Sequence, residues 1–154
     1  MIGDPHWSNI EERLEEEKYF VSPEAKRIIS LNKDKVVGLQ EMELFLFEID
    51  NISPKTVSSL DNFFSQAEIY GYGRCPMEVG PYLRLAVKNQ NPGYEFCVGM
   101  DPVEDSFGSQ VLFSIKQTGQ YEKGTRRVLG VVKADSSYIG GLSPKRRIFL
   151  SKLS

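Results

Sequence analysis

Residues 82–100 read YLRLAVKNQNPGYEFCVGM, and how that stretch folds sets the class of the whole chain. Leu83, Leu85 and Val87 alternate with Arg84 and Ala86, the period-two pattern of a half-buried strand. Asn89 to Gly93 form a turn cluster around Pro92. Tyr94, Phe96, Val98 and Met100 then alternate again. The pattern predicts an antiparallel hairpin, with strand 82–88 returning as strand 94–100. A one-residue slip would turn every apolar side chain to water, so matching the faces sets the register. Val87 is expected opposite Tyr94, Leu85 opposite Phe96, and Arg84 opposite Cys97.

Downstream the pattern stays β. Val111, Phe113 and Ile115 mark one strand, RVLGVVK over 127–133 another, and 147–150 a last one. Residues 101–109, 117–125 and 135–144 read as turn-rich loops. Upstream, three helix starts carry Ser at the cap position. Ser8 begins S-N-I-E, a capping box with Glu11, and Ile10, Leu14 and Tyr19 follow as a thin apolar stripe. Ser22 precedes Pro23, which suits the first helical position, and Ile28, Ile29 and Leu31 lie on one side. Ser53 opens the third start, with Val57, Leu60, Phe63 and Phe64 at helical spacing. Between the second and third, EMELFLFEID over 41–50 alternates and reads as a strand. The expected fold is therefore α+β: N-terminal helices plus a mostly antiparallel, curled sheet of six to seven strands, with an open barrel as its most curled form. One domain over 1–154 is expected, helix-rich with one strand over 1–66 and β-rich over 67–154.

Composition places few limits beyond that. A chain of 154 residues buries a core without staples. The start, MIGDPHWSNIEERLEEE, has neither the basic nor the apolar region of a secretory signal, and no apolar run approaches the roughly 18 residues of a membrane span. A cytoplasmic protein with no membrane partner is expected, with export as an effector by a non-classical route left open.

Several chemistries lack their residues. His6 is the single histidine and lies beside the chain start, a poor position for a Ser–His–Asp or Cys–His mechanism. Cys75 and Cys97 lack zinc-ligand spacing. GYGR over 71–74 lacks the Lys-Ser/Thr of a phosphate loop. Two weaker candidates remain. Cys97 becomes a reactive thiol if Arg84 lies across from it, because a nearby cation favours the thiolate. Asp101, Glu104 and Asp105 offer three carboxylates within five residues, a donor set for a hard cation or for a small carboxylate- or metal-dependent enzyme. Their spacing is not that of an EF-hand loop, and no cofactor is expected.

Charge carries the clearest signal. The net charge is −6 over residues 1–50, −2 over 51–104 and +6 over 105–154. Arg126 and Arg127 open one expected strand; Lys145, Arg146 and Arg147 open another. If both strands start at one end of the sheet, these five form one patch; if not, the clusters separate. Such asymmetry suits a non-catalytic adaptor, regulator or inhibitor that binds a protein partner. The same cations would serve a nucleic-acid-binding accessory domain, with Tyr121 or Tyr138 to stack. Pairing with the glutamate-rich first helix, within the chain or between copies in a homo-oligomer, is the structural alternative.

Overall fold

The computed structural model describes residues 8–31, 43–48, 60–87, 95–120, 124–134 and 147–153. His6, the start at Ser53, the turn 88–93, Tyr94, Tyr121, Tyr138, Lys145 and Arg146 lie outside the described residues, as do the side chains of Ser8, Glu11 and Arg126.

The described elements run α1 (Ser8–Glu16), β1 (Phe20–Val21), α2 (Pro23–Leu31), β2 (Leu44–Glu48), α3 (Leu60–Ile69), β3 (Tyr72–Gly73), α4 (Val79–Ala86), β4 (Glu95–Val98), β5 (Val103–Glu104), β6 (Gln110–Gln120), β7 (Gly124–Lys133) and β8 (Arg147–Lys152). Eight strands form one sheet in the order β1-β7-β6-β4-β8-β2, with β3 beside β8 and β5 beside β6. The class is α+β, but the sheet is mixed and is not closed into a barrel. β1 pairs with β7, and β4 with β8, in parallel; the other five pairings are antiparallel. Nor are the helices confined to the N-terminal region, since α3 and α4 lie among the strands in sequence.

The expected hairpin over 82–100 is half right. Residues 95–98 are a strand, but 79–86 are a helix. The alternation of Leu83 and Leu85 misled because α4 is buried on every side: Val79, Gly80, Pro81, Tyr82, Leu83, Arg84 and Leu85 are all buried. A helix wrapped in core carries apolar residues at all periods, including two. Pro81 sits in its first turn, where a missing amide breaks no helical hydrogen bond. Gly80 lets the helix approach β6; a Cβ there would fall 2.6 Å from Phe113 Cδ2. β4 instead pairs with β6, placing Phe96 opposite Ile115 and Cys97 opposite Ser114.

Other expectations are met in their coarse form. Ser22 caps α2, its Oγ accepting the Ala25 amide at 3.2 Å. Ile10 and Leu14 of α1 and Phe63 and Phe64 of α3 are buried, as are Ile28 and Ile29 of α2, whereas Leu31, the last residue of α2, is exposed. The loop expected over 117–125 is not met: β6 and β7 extend into it from both sides, paired from Val111–Lys133 to Gln120–Gly124, because the ladder continues beyond the apolar run. In β6, Leu112 and Phe113 are both fully buried, so the sheet is covered on both faces there.

α4 covers the face that carries Phe113, Ile115 and Leu129. From it Arg84, 0 % exposed, reaches back to the sheet. Its Nη1 donates to the carbonyls of Lys116 (2.9 Å) and Val128 (3.3 Å), and its Nη2 to that of Val87 at the helix end (2.6 Å). Its guanidinium lies 5.7 Å from the Tyr19 ring centroid. Burial pushes Arg84 down to about 10, Tyr19 acting to raise it and the neighbouring Arg127 to lower it. It is still charged at neutral pH, and carbonyl oxygens supply the compensation that water would have given.

Arg84→Met should lower unfolding free energy by about 3 kcal/mol, because it strips buried carbonyls of their donors. Urea denaturation measures this, with Leu85→Met as the volume-conserving control, expected to lose less than about 1.5 kcal/mol. Equal losses in the two variants would refute the bonding role of Arg84.

Candidate functional site

The basic residues that lie among the described ones come together through strand direction. β7 is antiparallel to β6, β6 to β4, and β4 is parallel to β8. β7 and β8 therefore point the same way and begin at one end of the sheet. Arg147 aligns with Phe96, Phe96 with Ile115, and Ile115 with Leu129. Arg127 lies two residues before Leu129, so Arg127 and Arg147 project from the same face. They stand three strand spacings apart, about 14 Å across the sheet and about 7 Å along it. Each guanidinium lies over an aromatic ring, Arg127 at 5.9 Å from the Tyr19 centroid and Arg147 at 5.8 Å from that of Phe96. Both arginines are half-buried. Arg126 pairs through its backbone with Thr118.

Sequence pattern does not point to Tyr19 or Phe96 as the partner of either cation. Tyr19 is brought to Arg127 by β1, which follows it directly and pairs with Val128 and Leu129. Nothing local announces a pairing between segments so far apart in the chain.

The acidic loop does not assemble a cation site. Asp101 is ion-paired to Arg74, which also reaches Asp61 at 3.3 Å and stacks over Phe64. Asp105 is spent on its own turn: its Oδ1 accepts the amides of Phe107 at 2.9 Å and Ser109 at 2.8 Å. Glu104 is exposed in β5, and its carbonyl accepts from Arg27 of α2 at 3.2 Å. Ser106 then bonds Glu24 through its hydroxyl and its amide. The loop is docked on α2 by these contacts, and the three carboxylates face different partners. Among the described residues no group of His, Cys, Asp and Glu gathers to hold a metal.

The premise of a reactive Cys97 is overturned with the hairpin. Arg84 lies in α4 and not across from Cys97, whose neighbours in register are Ser114 and Ile148. Cys97 is 0 % exposed, and its thiol donates to the Arg147 carbonyl at 3.4 Å. Cys75 is buried too, near the Phe149 carbonyl at 3.5 Å, and burial pushes its thiol up to about 12. In GYGR, Gly71 makes a turn at φ +88° and Tyr72–Gly73 form β3, leaving Arg74 to its carboxylates. Among the described residues no helix is long and apolar enough to cross a membrane.

No protein family, curated protein or solved structure matches the chain.

The Cys75 thiol makes stability fall with alkali. Above the ordinary thiol value of 9.0 the unfolded chain loses this proton while the native state keeps it to about 12. The native state is thus progressively disfavoured across that window, by at most about 1.4 kcal/mol per pH unit. Urea midpoints between pH 8 and 10.5 should fall less steeply for Cys75→Ala than for wild type; parallel slopes would contradict the burial of an un-ionised thiol.

Proposed function

We propose that this chain is a non-catalytic interaction protein, an adaptor, regulator or inhibitor, that takes an acidic protein surface on the end of the sheet where β7 and β8 begin. The reading rests on one observation above all: the common direction of those two strands, which brings Arg127 and Arg147 to the same end of one face. The ring beneath each guanidinium limits its rotamers, so less conformational freedom is lost when a carboxylate docks. A spacing of about 16 Å between their positions on the sheet suits separate carboxylates on a folded partner. The exposed Glu12, Glu15 and Glu16 of α1 make a second copy of the chain one such surface.

Nucleic acid is the alternative for the same cations. It is less favoured because, among the described residues, the rings against these guanidiniums are Tyr19 and Phe96, each 8 % exposed and so closed to a stacking base. A carboxylate enzyme has lost its support, since the loop at 101–105 offers no convergent acids.

Charge reversal at both positions, Arg127→Glu with Arg147→Glu, should weaken the complex by about tenfold or more. The measurement is quantitative affinity purification from the native cell, wild type against variant, at 100 and 500 mM salt, followed by titration of the recovered protein. A partner retained equally by the variant would remove these arginines from the interface. A salt-sensitive gel shift of DNA or RNA, abolished by the same variant, would replace the protein reading by the nucleic-acid one.

A further inference from the structure

The sheet face opposite α4 holds a cavity of ≈ 460 Å³, within the usual size of small-molecule sites, about 300–1,000 Å³. Register builds its floor. One row across the sheet carries Ser114 and Gly130; the next carries Glu95, Lys116, Val128 and Phe20. The first turn of α2, with Ser22, Pro23 and Glu24, forms a wall. The cavity exists because the row nearest that wall has small side chains where a buried strand ordinarily carries branched ones.

Gly130 is the informative residue. A strand glycine usually answers a close approach of other atoms. Gly73, Gly80 and Gly99 do so here: a Cβ at each would meet another atom at 2.6 Å. At Gly130 the nearest atoms are Ser114 Oγ at 3.6 Å and Ser22 Oγ at 3.9 Å, ordinary contact distances. Among the described residues no packing demand explains the missing side chain, and its absence leaves room.

The lining also has a chemical sense. Phe20, 44 % exposed, with Pro23 and Val128, supplies an apolar surface. Lys116 is half-buried at the cavity, and its ammonium makes no ion pair or hydrogen bond among the described residues. Glu95, its cross-strand neighbour, accepts instead from Ser114 Oγ at 3.1 Å. Ser22 Oγ accepts from the Ala25 amide, which leaves its own proton to donate. Glu24 and Glu95, the two carboxylates of the lining, accept from Ser106 and Ser114, so Lys116 and the Ser22 hydroxyl are the groups that face an anion beside the apolar wall.

We propose that this cavity binds a small apolar monocarboxylate, its anion held by Lys116 and Ser22 and its hydrocarbon laid against Phe20, Pro23 and Val128. The site lies on the face opposite Arg127 and Arg147 and does not depend on their role.

Two fluorescent probes test it on the full chain: anionic 8-anilinonaphthalene-1-sulfonate and neutral N-phenyl-1-naphthylamine, each with octanoate as competitor. Wild type should bind the anionic probe saturably at one site and release it to octanoate. Gly130→Val fills the cavity, and a branched residue suits a strand, so both probes should be lost while the thermal midpoint holds. Lys116→Met should weaken the anionic probe by about fivefold and leave the neutral one unchanged. Phe20→Ala, at an exposed position, should weaken both probes and serves if Gly130→Val fails to fold. No binding to wild type, unchanged binding after Gly130→Val or Phe20→Ala, or equal loss of both probes in Lys116→Met would overturn the proposal.

Discussion

A guanidinium buried beneath the sheet must be answered by fixed oxygens, and the geometry around Arg84 follows from that demand. A charge out of water is tolerated only where acceptors replace the lost hydration. Here they are backbone carbonyls of β6 and β7 and of the end of α4 itself. Carbonyl dipoles at a helix end favour a cation, so the same group both closes α4 and fastens it to two strands. Tyr19 lies against it, which brings in the end of α1 and the start of β1. One side chain thereby links two helices to the centre of the sheet. It does so by direction and distance, where apolar packing alone would tolerate sliding.

The mixed sense of the sheet is the second constraint. β4 follows α4 in the chain, and its parallel neighbour β8 comes from near the chain's end. This pairing turns β8 to the direction of β7 and so decides that Arg147 and Arg127 share an end. In an all-antiparallel sheet of sequential neighbours the two would stand at opposite ends. The same interleaving divides the faces. α4 occupies one, with Phe113 beneath Gly80, while α2 begins on the other beside Gly130. A charged surface and a cavity thus arise from opposite sides of the same strands β6 and β7.

The part of the fold legible in the residues is the part governed by local rules. Ser22 and Pro23 announce α2, Phe63 and Phe64 announce a buried helix face, and β7 shows itself in the valine-rich stretch RVLGVVK. The failures are as physical as the successes. Leu83 and Leu85 alternate as in a strand because α4 has no solvated face to impose the longer period. Asp101, Glu104 and Asp105 look like a ligand set while their partners are invisible. Arg74, the amides of Phe107 and Ser109, and α2 then claim them one by one.

The amino-acid order by itself determined the α+β class, the positions of most strands, the two stretches of positive charge in the last third and the lack of a histidine-based constellation. These depend on side-chain periodicity and composition, which act between near neighbours. Tertiary structure alone decided that 79–86 is a helix, that β4 pairs in parallel with β8, that Arg127 and Arg147 share a face, and that space is left over Gly130. Each of these depends on which distant segment comes alongside, and that outcome is set by burial and hydrogen-bond satisfaction summed over the whole chain.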